Sequence, residues 1–187
     1  VGKSHFVLGL ALAVAGGADI LGWSAPKARP VAYVDGEMAL TDLQTRLAEA
    51  APHYGSAVPD NFRLLPSGDY ETGLPTLDQP AGQQALESQL HPGTVLVLDN
   101  VSTLFRSGVE NEAESWASVQ EWLVRLRHKG VTVIVVAHDG KTGMQRGTSK
   151  REDIMETIIH LTRPNNYEAA EGARVMVDVT KCRGYSG

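Results

Sequence analysis

The sequence predicts an α/β fold, a mainly parallel sheet flanked by helices and followed by a C-terminal strand pair. Three observations predict it. Short β-branched apolar runs (VAYVD at 31–35, TVLVLD at 94–99, VTVIVVA at 131–137) alternate with stretches of helical spacing. Strands that are apolar at every position are buried on both faces, and alternation of this kind puts crossover helices on both sides of a parallel sheet. Finally, the runs at 157–161 and 173–180 are close enough in sequence to pair as a hairpin.

Each element has its own signal. Residues 5–15 (HFVLGLALAVA) read as a helix that Gly16-Gly17 ends, and Pro26 to Pro30 bound a surface loop. VAYVD is a buried strand closing on an acid. Thr41 starts a helix with Leu43, Leu47 and Ala51 down one face. Residues 62–65 are a third strand, 66–82 a Pro/Gly/Asp/Thr-rich loop, and 83–90 a short helix. After the strand at 94–99, residues 114–129 form an amphipathic helix with Trp116, Val119, Leu123 and Leu126 at helical spacing, a stripe that reads as core and not as a stacking platform. Gly130 closes that helix, the strand 131–137 follows, and 138–150 is a polar, Gly-rich loop.

Composition narrows the function classes. The 187 residues, 42% hydrophobic and 21% charged, suit one soluble domain spanning 1–187. The net charge of −5 excludes a polycation that coats nucleic acid, so any DNA contact must come from a local basic patch. One cysteine, Cys182, excludes an intrachain disulfide and a Cys-based zinc site, and points to a reducing, cytoplasmic setting. No H-E-x-x-H spacing joins the six histidines, and no apolar run is long enough to span a membrane.

Val1-Gly2-Lys3-Ser4 is the back of the pattern G-x-x-x-x-G-K-[ST], in which backbone N–H groups wrap a β-phosphate, the Lys reaches the β- and γ-phosphates and the hydroxyl holds Mg²⁺. The helix that must follow such a loop does follow. The loop's first glycine and the strand before it are not in the sequence, which reads as a fragment expected to hold nucleotide poorly as it stands. In parallel sheets, ligands bind at the carboxyl ends of the strands. Collecting those ends with Lys3 and Ser4 gives Glu37, Asp99 and His138. A cation, a hydroxyl, two carboxylates and an imidazole suit hydrolysis of a Mg²⁺–nucleotide. Asp99, closing VLVLD, is the metal acid. Glu37 is the residue to polarise water. His138 is placed to sense the γ-phosphate.

Taken together, Lys3-Ser4, VAYVDGEM, VLVLDNVSTLF, Glu110-Asn111, VIVVAHDGK and RGTSKREDIMETIIHL resemble the RecA-type hexameric ATPases of the plasmid replicative helicase RepA group. The resemblance runs from Lys3 to about Arg183 and implies a RecA-like P-loop NTPase core. It implies ATP and Mg²⁺ as cofactors, a ring of subunits expected to be a hexamer, and translocation on single-stranded DNA. By position, Gly2, Lys3 and Ser4 are the phosphate loop, Glu37 the catalytic acid, Ser4 and Asp99 the Mg²⁺ ligands and His138 the sensor. The ending Lys181-Cys-Arg183-Gly184 is similar to the K-x-R-x-G of related cores, where Lys and Arg reach a neighbouring subunit's nucleotide. Because the stretch after the G-x-S turn reads EDIMET, the trans-acting residue stays open among Arg151, Lys181 and Arg183.

The loop 138–150 carries Lys141, Arg146 and Lys150, with Arg151 adjoining, against one acid, Asp139. Basic groups on Gly-rich backbone give sequence-independent, salt-sensitive affinity for single-stranded DNA. The expected function is therefore the ATP-hydrolysing motor of a replicative DNA helicase. Two alternatives stand beside it: a RecA-type recombination or repair ATPase that forms filaments, and a nucleotide-gated DNA-binding regulatory module.

Overall fold

A computed structural model describes residues 2–55, 57–66, 76–105, 116–138 and 150–184, the side chains of Pro66, Lys150 and Arg151 excepted. In chain order the elements begin with α1 (Lys3–Gly16), β1 (Asp19–Ile20), β2 (Trp23–Ser24), β3 (Val31–Asp35), α2 (Leu40–Ala50) and β4 (Phe62–Pro66). They continue with α3 (Pro80–Glu87), β5 (Val95–Asp99), α4 (Val101–Leu104), α5 (Trp116–His128) and β6 (Thr132–Val136). The chain closes with α6 (Lys150–Asp153), β7 (Thr157–Thr162) and β8 (Met176–Cys182).

The central sheet has the order β4-β3-β5-β6, every neighbour parallel. Registers align Val31 with Val95 and Val95 with Thr132, so Asp35, Asp99 and Val136 close one row at the carboxyl edge. All residues of β3 and β5 are buried. This is why neither strand alternates polar and apolar residues: each faces a hydrophobic core on both sides. On one face Ala32, Val34, Leu96 and Leu98 pack with Trp116, Val119, Trp122, Leu123 and Leu126 of α5 and with α3 and α4. On the other, Val31, Tyr33, Val95 and Val97 pack with Val7, Leu8, Ala11, Leu12 and Ala15 of α1 and Leu47 of α2. The Trp116 stripe is core, as its spacing predicts.

The last two strands pair antiparallel, with a register shift between Ile158 and Ile159. Between β6 and β7 lies a cleft of about 550 Å³, lined by Val133 and Val135, by Ile158 and Leu161, and floored by Lys3 and Phe6 of α1. Among the described strands β6 pairs with β5 alone. No helix among the described residues is long and apolar enough to cross a membrane.

The structure differs from the sequence expectation at short elements. The helix expected at 83–90 spans Pro80–Glu87: Pro80 supplies a preset φ in the first turn, and the Gln83 amide bonds the Leu77 carbonyl at 2.9 Å. β1 and β2 form a tight hairpin in place of loop, turning through Leu21 (φ 50) and Gly22 (φ 82). Positive φ at both central residues is the turn that matches strand twist. α4 and α6, four residues each, carry too little periodicity to be seen. α1 starts at Lys3, two residues before the apolar run, and Gly17 (φ 68) ends it by donating to the Ala13 carbonyl at the C-terminus.

Candidate functional site

The orientation of α1 fixes which end of the sheet meets Lys3. The Arg29 N–H, just before β3, donates to the Val14 carbonyl near the end of α1 at 3.0 Å. From Val14 back to Lys3, α1 runs about 16 Å. β3 spans about the same length. Lying on the sheet with its C-terminus at the amino ends of the strands, α1 therefore brings Gly2, Lys3 and Ser4 to their carboxyl ends, and Lys3 lines the cleft beside Val136 and Ala137. Gly2 adopts φ 84, a conformation that favours glycine, and caps the helix without a side chain. The first-turn N–H groups of α1 are those a bound anion can satisfy.

Opposite them is a network of five residues at the ends of β3 and β5. Tyr33 and Asp99 have the same parity on neighbouring strands, so they face the same side. The Tyr33 hydroxyl donates to Asp99 Oδ2 at 2.7 Å. Burial, with the Asp99 charge beside it, pushes the Tyr33 hydroxyl far above its ordinary pKa, so it remains a donor. Asp35 Oδ1 accepts the N–H groups of Glu37 (2.8 Å) and Met38 (2.6 Å), which turns the chain sharply at the end of β3. Burial raises the Asp35 pKa, the two N–H groups oppose that rise, and the Asp99 charge adds to it. Asn100 Nδ2 donates to Glu37 Oε2 at 2.8 Å. Asn100 also caps α4, with Thr103 completing a capping box. One amide thus ties the Glu37 carboxylate to the end of β5. The Asp99–Asn100 peptide is cis.

Gly36 is required by close approach. A Cβ there would collide with the Thr103 side chain and come within 2.9 Å of Leu104 Cδ2, while the Gly36 N–H donates to the Asp99 carbonyl at 2.9 Å. The turn carrying Glu37 is pressed directly onto α4.

The sequence-predicted residues divide by what this geometry brings together. Lys3, Ser4, Glu37, Asp99 and His138 all sit at the carboxyl edge; Glu37 and His138 are exposed and Asp99 is buried. Lys181 and Arg183 lie elsewhere. Lys181 Nζ bonds the Glu152 carbonyl, and Arg183 donates to the Asp153 carbonyl at 2.7 Å, so both cap the end of α6. Val175, just before β8, touches the Gly2 position at 3.6 Å, and Lys181 is six residues further on. At strand rise that is about 20 Å, beyond side-chain reach of a phosphate at Gly2 of the same chain. Lys141, Arg146 and the Glu110-Asn111 pair lie outside the described residues. Lys150 and Arg151 belong to α6, and their side chains are not described.

Tyr33, Asp35, Gly36 and Asn100 were not singled out from sequence. Parity along VAYVD points Tyr33 to the side of Asp35, and Asn100 directly follows Asp99; those were the available signals.

For a divalent cation, the donors are hard oxygens, the Ser4 hydroxyl and the Asp99 carboxylate, which suit Mg²⁺. No group of three or more His, Cys, Asp or Glu among the described residues forms a metal cage. A cation here would need phosphate oxygens and water to complete its shell, as Mg²⁺ at nucleotide sites does. Tyr33 holds Asp99 through Oδ2, and the hard-oxygen donors Ser4 and Asp99 are of the type that fits that ion.

Comparison with known proteins agrees with this fold. Residues 1–144 match the model of an AAA domain. The chain is 26% identical over 163 residues to the DNA repair protein RadA of Aquifex aeolicus (strain VF5), an alignment covering 85% of this chain and 31% of that protein. The chain thus spans about a third of the length of that relative. With the match over most of its length and the parallel sheet, strand-end acids and helix-capping Gly-Lys-Ser in place, the chain belongs to the AAA domain family, within the RecA-like P-loop ATPases.

Proposed function

We propose that residues 1–187 form the ATP-hydrolysing motor domain of a replicative DNA helicase acting on single-stranded DNA. The observation that carries the hydrolytic part is the aimed carboxylate: Glu37 held by Asn100 at 2.8 Å, one peptide from buried Asp99 and at the same sheet edge as Lys3. A protein that only binds nucleotide has no need of a fixed, exposed acid there.

Each side chain has a role in this reading. Lys3 and the first-turn N–H groups of α1 bind the β- and γ-phosphates and stabilise charge on the transferring group. Ser4 and Asp99 hold Mg²⁺, which when bound neutralises phosphate charge. Tyr33 fixes Asp99 in one orientation. Glu37 accepts a proton from the attacking water, and Asn100 orients Glu37. His138, directly before the loop 139–149, senses the γ-phosphate. Lys181 and Arg183, too far from Gly2 of their own chain, serve a neighbouring subunit's nucleotide in a ring, proposed as a hexamer; Arg151 is the remaining candidate. Lys141, Arg146, Lys150 and Arg151 contact the DNA backbone.

The test is phosphate release by the full-length protein with and without single-stranded DNA. The motor reading expects strong stimulation by DNA, and an ATPase rate indifferent to DNA contradicts it. A second reading, a recombination or repair ATPase that forms filaments, is favoured by the resemblance to a DNA repair protein. Electron microscopy with nucleotide separates the two, since the helicase forms closed rings and the repair ATPase open filaments.

A further inference from the structure

We propose that Tyr33 makes the cation site selective for Mg²⁺ over Ca²⁺, by holding Asp99 so that it meets a cation through one oxygen and not two. This rests on the nucleotide site proposed above and adds to it what chooses the ion.

The sheet builds the pair. β3 and β5 are parallel neighbours that set Tyr33 beside Val97 and Asp35 beside Asp99. Tyr33 and Asp99 are therefore diagonal, two residues apart along the strands and on the same side of the sheet. A diagonal of about 7 Å is within reach of an aromatic side chain. The Tyr33 hydroxyl closes it, 2.7 Å from Asp99 Oδ2. Neither end adjusts freely. The Tyr33 ring belongs to the cluster of Val7, Leu8 and Leu12 of α1, and its centroid lies 6.2 Å from that of Phe62. The Asp99 main chain is held by its carbonyl, which accepts the Gly36 N–H at 2.9 Å. Tyr33 is 1% and Asp99 2% exposed, so bulk solvent does not compete for either partner.

A hydroxyl bonded to a carboxylate makes a stronger hydrogen bond than a neutral pair does. A cation gripped by both Asp99 oxygens competes with that hydroxyl for Oδ2. A cation that meets Asp99 through one oxygen, directly or through water, leaves the bond in place. Mg²⁺ demands a near-ideal octahedron at about 2.0–2.1 Å and keeps several waters, so one carboxylate oxygen suits it. Ca²⁺ takes about six to eight oxygens at longer range and readily uses both oxygens of a carboxylate. Tyr33 thus denies Ca²⁺ a ligand that Mg²⁺ does not need. It acts through Asp99 and is a positioning residue.

Equilibrium binding of ADP to the full-length protein tests this, with Mg²⁺, with Ca²⁺, and with a chelator in place of either. The parent should bind ADP at least about 10-fold more tightly with Mg²⁺ than with Ca²⁺. Tyr33→Phe keeps the ring and removes the bond. In that variant the preference should fall about 10-fold, because the released carboxylate can grip Ca²⁺ with both oxygens. ADP binding in chelator should not change. A hydroxyl that serves the fold alone would weaken ADP binding equally in all three conditions and leave the Mg²⁺-to-Ca²⁺ ratio where it was. That result overturns the proposal, and so does an unaltered ratio with unaltered affinity. A parent that binds ADP equally well with either ion also overturns it, and that arm reports even where Tyr33→Phe does not fold. All three results leave the nucleotide site standing. Failure of the parent to bind ADP in any condition overturns both.

Discussion

At the scale of residues, the site depends on how little room surrounds Glu37. The chain leaves β3 through Gly36, and the Glu37 and Met38 N–H groups fold back on Asp35. Gly36 packs against α4 so closely that a methyl group has no space. Gly36→Ala must push α4 or the turn aside. We expect a loss of roughly 1–3 kcal/mol in stability, read in urea unfolding, together with slower hydrolysis because Glu37 moves off its line. A variant as stable and active as the parent would show that the turn is not constrained. The principal acids were legible in sequence, since Asp99 and Glu37 follow apolar strands and a parallel sheet gathers strand ends. Their supporting residues were not. Tyr33 and Asp99 lie 66 positions apart, and Glu37 and Asn100 lie 63 apart. Only the side-by-side pairing of β3 and β5 joins them, and sequence spacing says nothing of which strands are neighbours.

At the scale of elements, long periodic segments read correctly and brief ones did not. β3, β5, β6 and α5 announce themselves by composition. β1, β2, α4 and α6 are held by turns and caps, whose partners come from elsewhere in the fold. Glu87 is a polar fastening of α3 on α5. Glu87 ends α3, where a negative charge opposes the helix dipole. Its carboxylate is compensated by Trp122 Nε1 (3.2 Å), by Arg125 (3.1 Å) and by Lys129. Burial pushes the Glu87 pKa up, but Lys129 and Arg125 together hold it below its ordinary value of 4.5. A lowered carboxylate pKa contributes stability that is present above the unfolded value and lost as pH falls through the folded one. Glu87→Gln should therefore cost roughly 1 kcal/mol at pH 7. That difference should shrink toward zero as pH falls below the ordinary glutamate range, in unfolding curves of both proteins. A cost that persists unchanged into strong acid would mean that packing, not charge, holds α3 to α5.

At the scale of the whole molecule, charge decides how DNA can be held. With a net charge of −5, the chain repels a polyanion overall. In the proposed motor, affinity for DNA has to be local, and Lys141, Arg146 and Lys150 are the basic groups proposed to supply it. Replacing all three with Gln should weaken single-stranded DNA binding and flatten the dependence of log Kd on log salt, because fewer counterions are released. An unaltered salt slope would move the DNA contact elsewhere. Lys181 and Arg183 belong to the same scale. They sit at the far end of β8 from Gly2, so in the proposed ring they would meet a neighbouring subunit's nucleotide and not their own.

The central claim is that Glu37 activates water at the carboxyl edge of the sheet while Lys3 and Ser4 hold the phosphates. Single-turnover release of γ-phosphate from prebound ATP by the full-length Glu37→Gln protein tests it most directly. The expected result is ATP affinity close to that of the parent with release slowed about 10²- to 10⁴-fold. Release at the parent's rate from a protein that binds ATP normally would contradict it.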